Sequence, residues 1–226
     1  MIKMLSKLLP LFLFIMLSFQ LKAQKNDSIF FLDPVTWDEF YVDIYNCQFI
    51  ETPADVDIDM SRNRGVRVSY VKRFSNDYRW YTPGIGIAIS NYNIFSNVNR
   101  WQNDSSTGPI LYPENADYKK NKLALNFVEI PLEFTMRSSI KRNGAFKITF
   151  GAKAAWLFDA HTKTKDDDNN ISKFKNPRDF ERFNYGFYFR MGYAFFHLYA
   201  EYIANDVLNY SSDSGIYSVG ISLSGF

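Results

Sequence analysis

Hydrophobic and polar residues alternate one by one along most of the chain, in blocks separated by polar stretches. The longest block runs from Lys122 to Phe158. Ile130, Leu132, Phe134 and Met136 share one parity, and Glu129, Glu133, Thr135 and Arg137 share the other. After the polar run Ser138 to Gly144, Phe146, Ile148, Phe150, Ala152, Ala154, Trp156 and Phe158 alternate with Lys147, Thr149, Gly151 and Lys153. Successive strand side chains point to opposite faces, so this period predicts a β-hairpin. Each arm exceeds the roughly 9 to 11 residues a tilted strand needs to cross a bilayer, whereas soluble strands cluster near 5 or 6.

The rest of the chain divides in the same way. A first strand is expected over Trp37 to Cys47, with Phe40, Val42 and Ile44 outward, a second over Gly65 to Phe74 and a third over Trp80 to Tyr92. The fourth changes parity, since Leu123, Leu125 and Phe127 are odd and the apolar residues from Val128 onward are even. That change predicts a β-bulge near Phe127 to Pro131. The sixth, seventh and eighth strands start at Phe183, Phe196 and Ile216. The connections alternate in length: Gln48 to Arg64 is long, Ser75 to Arg79 short, Asn93 to Asn121 long, Ser138 to Gly144 short, Asp159 to Arg182 long, Gly192 to Phe195 short and Ala204 to Gly215 long.

Outer-membrane barrels combine an even strand number with short turns on one side and long loops on the other. The pattern therefore predicts an all-β fold, an eight-stranded antiparallel up-and-down transmembrane β-barrel with an apolar exterior and a polar, side-chain-filled interior. The hairpin alone also suits a soluble sandwich or lipocalin-like barrel, but such folds give no reason for alternating loop lengths. Parity then places Ile130, Leu132, Phe134, Phe146, Ile148, Phe150, Phe187 and Phe189 toward lipid. It places Asp43, Arg67, Arg73, Glu129, Glu133, Arg137, Lys147, Lys153, Arg190 and Glu201 in the lumen. Four acids against six bases make a nearly balanced ion-pair network, in an interior only wide enough for side chains to fill. The expectation is a plugged barrel, not a pore.

Composition sharpens this picture. Aromatic residues make up 18% of the chain, suiting aromatic girdles, and the mean hydropathy of −0.25 excludes a helical membrane bundle. Residues 1–23 read as a secretory signal peptide, with Lys3 and Lys7 before the apolar run Leu8 to Phe19, and 24–36 as a periplasmic extension ahead of a barrel domain over 37–226. Without Lys3, Lys7 and Lys22, the formal charge of +2 falls to about −1, which removes basicity as an argument for nucleic-acid binding. The single cysteine, Cys47, excludes an internal disulfide.

Candidate chemistry is sparse. His161 is expected at a loop or rim, and His197 in the lumen network near Glu201, without a serine in a nucleophile motif. Asp166 to Asn170 gathers oxygen ligands but lacks the spacing of a calcium loop. Trp101, Tyr112 and Tyr118 serve either recognition or packing at the rim. No catalytic residue, metal or cofactor is expected.

The residues Phe127-Val128-Glu129-Ile130-Pro131-Leu132-Glu133-Phe134 resemble a strand of the PorT-like eight-stranded outer-membrane β-barrels. Gly151-Ala152-Lys153, Arg190-Met191-Gly192-Tyr193, Leu198-Tyr199-Ala200-Glu201-Tyr202 and the terminal Gly220 to Phe226 are similar to that family as well. The resemblance covers the C-terminal half well and the N-terminal half loosely. It implies residence in the outer membrane of a Gram-negative bacterium with both termini periplasmic. It also implies contact with outer-membrane lipid, and insertion by the barrel-assembly machinery through the terminal Phe226, where Ser224 departs from the usual apolar residue. The expected role is non-enzymatic, structural, assembly or partner-binding, with protein partners met through the external loops. A subunit of a type IX secretion or other outer-membrane complex, and a small lipid-modifying enzyme, are the alternatives.

Overall fold

The computed structural model of the chain describes residues 39–52, 56–74, 81–104, 108–111, 118–138, 145–166, 170–175, 179–209 and 214–224. The expected leader and extension, the turn Ser75 to Arg79, Tyr112 and Phe226 lie outside the described residues. Eleven strands are described: β1 (Glu39–Phe49), β2 (Arg64–Arg73), β3 (Tyr81–Phe95), β4 (Val98–Asp104), β5 (Gly108–Leu111), β6 (Tyr118–Arg137), β7 (Phe146–Asp166), β8 (Ile171–Lys175), β9 (Phe183–Tyr193), β10 (Phe196–Ile203) and β11 (Ile216–Ser224).

Eight of them close a ring in the order β1-β2-β3-β6-β7-β9-β10-β11, and every pairing is antiparallel. The closing pair is β1 with β11, in register from Tyr41 opposite Ser224 to Phe49 opposite Ile216. Closure leaves no sheet edge, which is what a strand in hydrocarbon requires of its backbone amides. The finish of β2 and start of β3, and the finish of β6 and start of β7, share one end of the ring with the β9–β10 turn, the start of β1 and the finish of β11. The β9–β10 turn has Tyr193 opposite Phe196, with Ala194 at a positive φ of 53° beginning the two-residue loop.

The outward face is apolar from strand to strand. Ile87, Ile130, Leu132, Phe150, Trp156, Phe158, Phe187 and Val219 are each more than half exposed. Toward the long-loop end a polar girdle bounds this belt: the Asn91 amide donates to Asn126 (2.5 Å), Asn126 donates to Asp159 (3.0 Å), and Tyr217 donates to Gln48 (2.6 Å).

Three connections differ from expectation. The stretch Asn93 to Asn121 is not one irregular loop: β3 continues to Phe95, β4 and β5 form a separate two-stranded hairpin, and β6 begins at Tyr118. The Asn121 side chain anchors that hairpin by donating to the Ser96 carbonyl (3.0 Å) and to Val98 O. Within Asp159 to Arg182, β7 runs on to Asp166 and β8 pairs along it. These segments stand above the apolar belt, so they show no outward apolar row while Ile94, Val98 and Trp101 are buried inward, and the alternation that marks a membrane strand vanishes while strand pairing persists.

The expected bulge on the fourth strand is also corrected. β6 pairs with β3 in an unbroken register past Phe127, and the extra residue sits on β7, where Asn126 opposes Asp159 while Phe127 opposes Leu157, leaving Phe158 unmatched. Leu123, Leu125 and Phe127 keep the inward parity of Glu129 and Glu133 and are fully buried. The sequence changes parity there because the interior changes character. Toward the short-turn end it is ionic. Toward the long-loop end it is an apolar storey, in which Leu123, Leu125 and Phe127 meet Ile94, Trp101 and Ile203.

Candidate functional site

Chemistry-bearing side chains converge in the lumen, and the barrel wall explains how. Several inward positions pair a longer side chain with a small neighbour on an adjoining strand. Arg67 stands opposite Ser90, Glu133 opposite Gly84 and Gly151, Tyr199 opposite Gly220, and Asp43 opposite Ser222. The Gly151 position is indispensable to this fit, since a Cβ there would lie 2.1 Å from the Tyr188 ring.

The charged residues form one unbroken alternating chain. Lys147 binds Glu39 (2.7 Å), Glu39 binds Arg73 (2.7 Å), Arg73 binds Glu133 (2.8 Å) and Glu133 binds Arg190 (2.6 Å). Arg190 binds Asp43 (2.7 Å), Asp43 binds Arg67 (3.3 Å) and Arg67 binds Glu129 (2.7 Å). Glu129 then binds Lys153 (2.8 Å), and Lys153 binds Glu201 (3.0 Å). Every member is buried. Cations and anions alternate and balance, as buried charges require if attraction is to offset desolvation.

Tyrosines line the chain and donate to three of its carboxylates. Tyr188 donates to Glu133 (2.7 Å), Tyr92 to Glu201 (2.5 Å), Tyr41 to Glu39 and Tyr199 to Glu201. The Arg190 guanidinium lies 4.3 Å from the Tyr41 ring and 4.8 Å from the Tyr188 ring, and Arg67 lies 4.4 Å from Tyr188. Such stacking matters most where the cation is desolvated. Ser90 and Thr135 complete the lattice by bonding Glu129 (2.6 Å) and Arg73 (2.6 Å).

Of the lumen residues read from parity, Asp43, Arg67, Arg73, Glu129, Glu133, Lys147, Lys153, Arg190 and Glu201 join this chain. Arg137 stands apart from it, half-buried and donating to Thr82 at 3.4 Å. Parity reading left out Glu39, which shares the parity of Asp43 on the same strand and supplies the fifth acid. The tyrosines were legible by the same rule but carry no charge to mark them. His197 is buried beside Tyr41, with ring centroids 6.2 Å apart, and not bonded to Glu201. His161 is on the outward side of β7, its Nδ1 2.7 Å from Asp159. Trp101 is buried in the apolar storey against Phe49, which decides its role as packing. Asp166 accepts from the Asn170 backbone at 2.7 Å. Among the described residues no group of His, Cys, Asp and Glu is arranged to hold a metal.

The outward parity set is placed on the exterior throughout. Ile130, Leu132, Phe134, Phe146, Phe150 and Phe187 are exposed, and Ile148 and Phe189 are half-exposed. A closed ring with a charged axis and a greasy exterior is inverted relative to a soluble barrel. The family model described as the outer membrane protein beta-barrel domain matches residues 41–204. The chain belongs to this family. No curated protein matches it. In this outer-membrane barrel the matched segment runs from β1 through β10, so it includes all ten members of the ion-pair chain except Glu39.

Proposed function

We propose that this outer-membrane barrel is a sealed, non-enzymatic scaffold in a Gram-negative envelope, acting through its outer surfaces and long loops in structural, assembly or partner-binding work. The observation that carries this reading is the unbroken ion-pair chain stacked on an apolar storey. Together they fill the axis with two plugs of different chemistry. In this reading the short turns and both termini are periplasmic, and the β4–β5 hairpin and β8 stand outside the cell, where they meet protein partners.

Planar-bilayer recording of the purified full-length protein tests the sealed lumen, and the expected result is no sustained conductance. Stable single-channel openings would overturn it. Co-purification in mild detergent separates a lone scaffold from a subunit of a secretion complex, because a subunit carries large partners with it.

A further inference from the structure

At the long-loop end β6, β7 and β8 project beyond the apolar belt and carry a concentrated positive charge. The register sets Lys122 opposite Lys163, and Lys163 opposite Lys173; a second row sets Lys120 opposite Lys165, and a third sets His161 opposite Lys175. The unmatched Phe158 is what aims them. Past it the parity of β7 reverses, so Thr162 is buried against the interior while Lys163 and Lys165 face out. The charges of Lys163, Arg64, Lys120 and Lys173 all act on Lys122. Like charges directly opposite on paired strands repel. Yet among the described residues no carboxylate pairs with Lys120, Lys122, Lys163, Lys165 or Lys173. Lys122 donates to the neutral Asn93 side chain (2.5 Å), and the basic side chains that Asp159 meets are Lys175 (3.4 Å) and His161.

The height of this patch identifies its counter-charge. On β7 and β6 it lies just past Trp156, Phe158, Val128 and Ile130, the last exposed apolar residues before the girdle. With a rise of about 3.3 Å per residue and a tilt near 40°, the three rows sit about 8 to 18 Å above Phe158. The headgroup layer adds about 5 to 8 Å beyond the hydrocarbon, and the lysine stems of the lower two rows reach back to it. We propose that this outward lysine face binds the phosphate groups of anionic lipid headgroups in the leaflet at the long-loop end, so that bound lipid neutralises the repulsion built into β6, β7 and β8. The proposal rests on the orientation given above only for which leaflet supplies the lipid.

The test uses the full-length protein in phosphatidylcholine vesicles that carry a bisphosphorylated glycolipid or its dephosphorylated form in both leaflets, with lipid retention after extraction read by native mass spectrometry. The wild type is expected to retain the phosphorylated lipid. K122Q/K163Q/K173Q is expected to retain it at least about tenfold less, and K122R/K163R/K173R to keep it. Equal retention by the glutamine variant, equal retention of the dephosphorylated lipid, or displacement by free pyrophosphate at concentrations matching the lipid would each overturn the proposal. Should the glutamine variant fail to fold, a salt titration of the wild type decides: retention must fall as ionic strength rises, and salt-independent retention overturns it. Because both leaflets hold the lipid, the outcome does not depend on orientation. Labelling of N170C in intact cells with a membrane-impermeant maleimide tests that separately.

Discussion

Arg190 and Asp43, 147 residues apart in sequence, face each other across the barrel and meet in a two-pronged pair, Nε to Oδ1 at 3.1 Å and Nη2 to Oδ2 at 2.7 Å. The planar guanidinium suits this fork. Asp43 also holds Arg67, so a single carboxylate on β1 joins the two halves of the charged chain.

Asp43→Asn should therefore be among the most damaging single changes in the lumen. It leaves two buried arginines short of an anion, at a cost of about 3–5 kcal/mol. Urea unfolding in vesicles, followed by tryptophan fluorescence, measures it. Replacing Asp43 and Arg190 together with Leu and Met should recover part of the loss, because no charge at that pair is then stranded.

Gly151→Ala places a methyl group against the Tyr188 ring, which has Gly151 on its wall side and two arginines over it. A loss of about 1–3 kcal/mol is expected from overpacking. The double variant G151A/Y188L should lose less than the sum of its parts, and a double-mutant cycle on unfolding free energies checks this. Additive losses would mean that the two positions do not press on each other.

Phe127→Ala opens a cavity in the apolar storey and should cost about 3–5 kcal/mol. It should leave the bilayer silent, because the ionic plug beneath remains whole. Single-channel recording and unfolding of the same preparation separate the two effects.

Deleting Phe158 removes the register shift between β6 and β7. Asp159 then follows Leu157 directly, still opposite Asn126, so Asp159 to Asp166 keep their partners and their faces and Lys163 and Lys165 stay outward. The barrel should assemble and keep β8 protected from protease, as should Phe158→Leu; failure of the deletion to assemble, or loss of its β8, would mean that the extra residue itself is needed at that point. Limited trypsin digestion followed by mass analysis reads both.

Cys47 is fully buried within the apolar storey. A membrane-permeant maleimide should leave it unmodified in the folded barrel and label it fully in denaturant. This gives every variant above a direct measure of folding.

Much of this was legible because a barrel strand in a bilayer must show hydrocarbon one face and the axis the other. Parity alone thus placed Leu132 and Phe150 outside and Asp43 and Arg190 inside. The rule fails where the environment stops being two-sided. Above the belt both faces of β6, β7 and β8 are polar, so paired strands looked like loops. In the apolar storey the two faces exchange character, with Leu123, Leu125 and Phe127 inward and Lys122 and Asn126 outward, so these inward residues looked outward and suggested a bulge on β6 in place of the one on β7.

The sequence by itself determined the eight membrane-facing strands, their faces and the near-balance of lumen charge, because these follow from a local two-residue period. Only the tertiary structure decided which acid meets which base. Pairing across the axis depends on ring order, stagger and the position of one extra residue on β7, and these bring together side chains from β1, β2, β6, β7, β9 and β10. The division of the axis into an ionic and an apolar plug was settled at the same level, since inward height is a property of the closed barrel and not of any one strand.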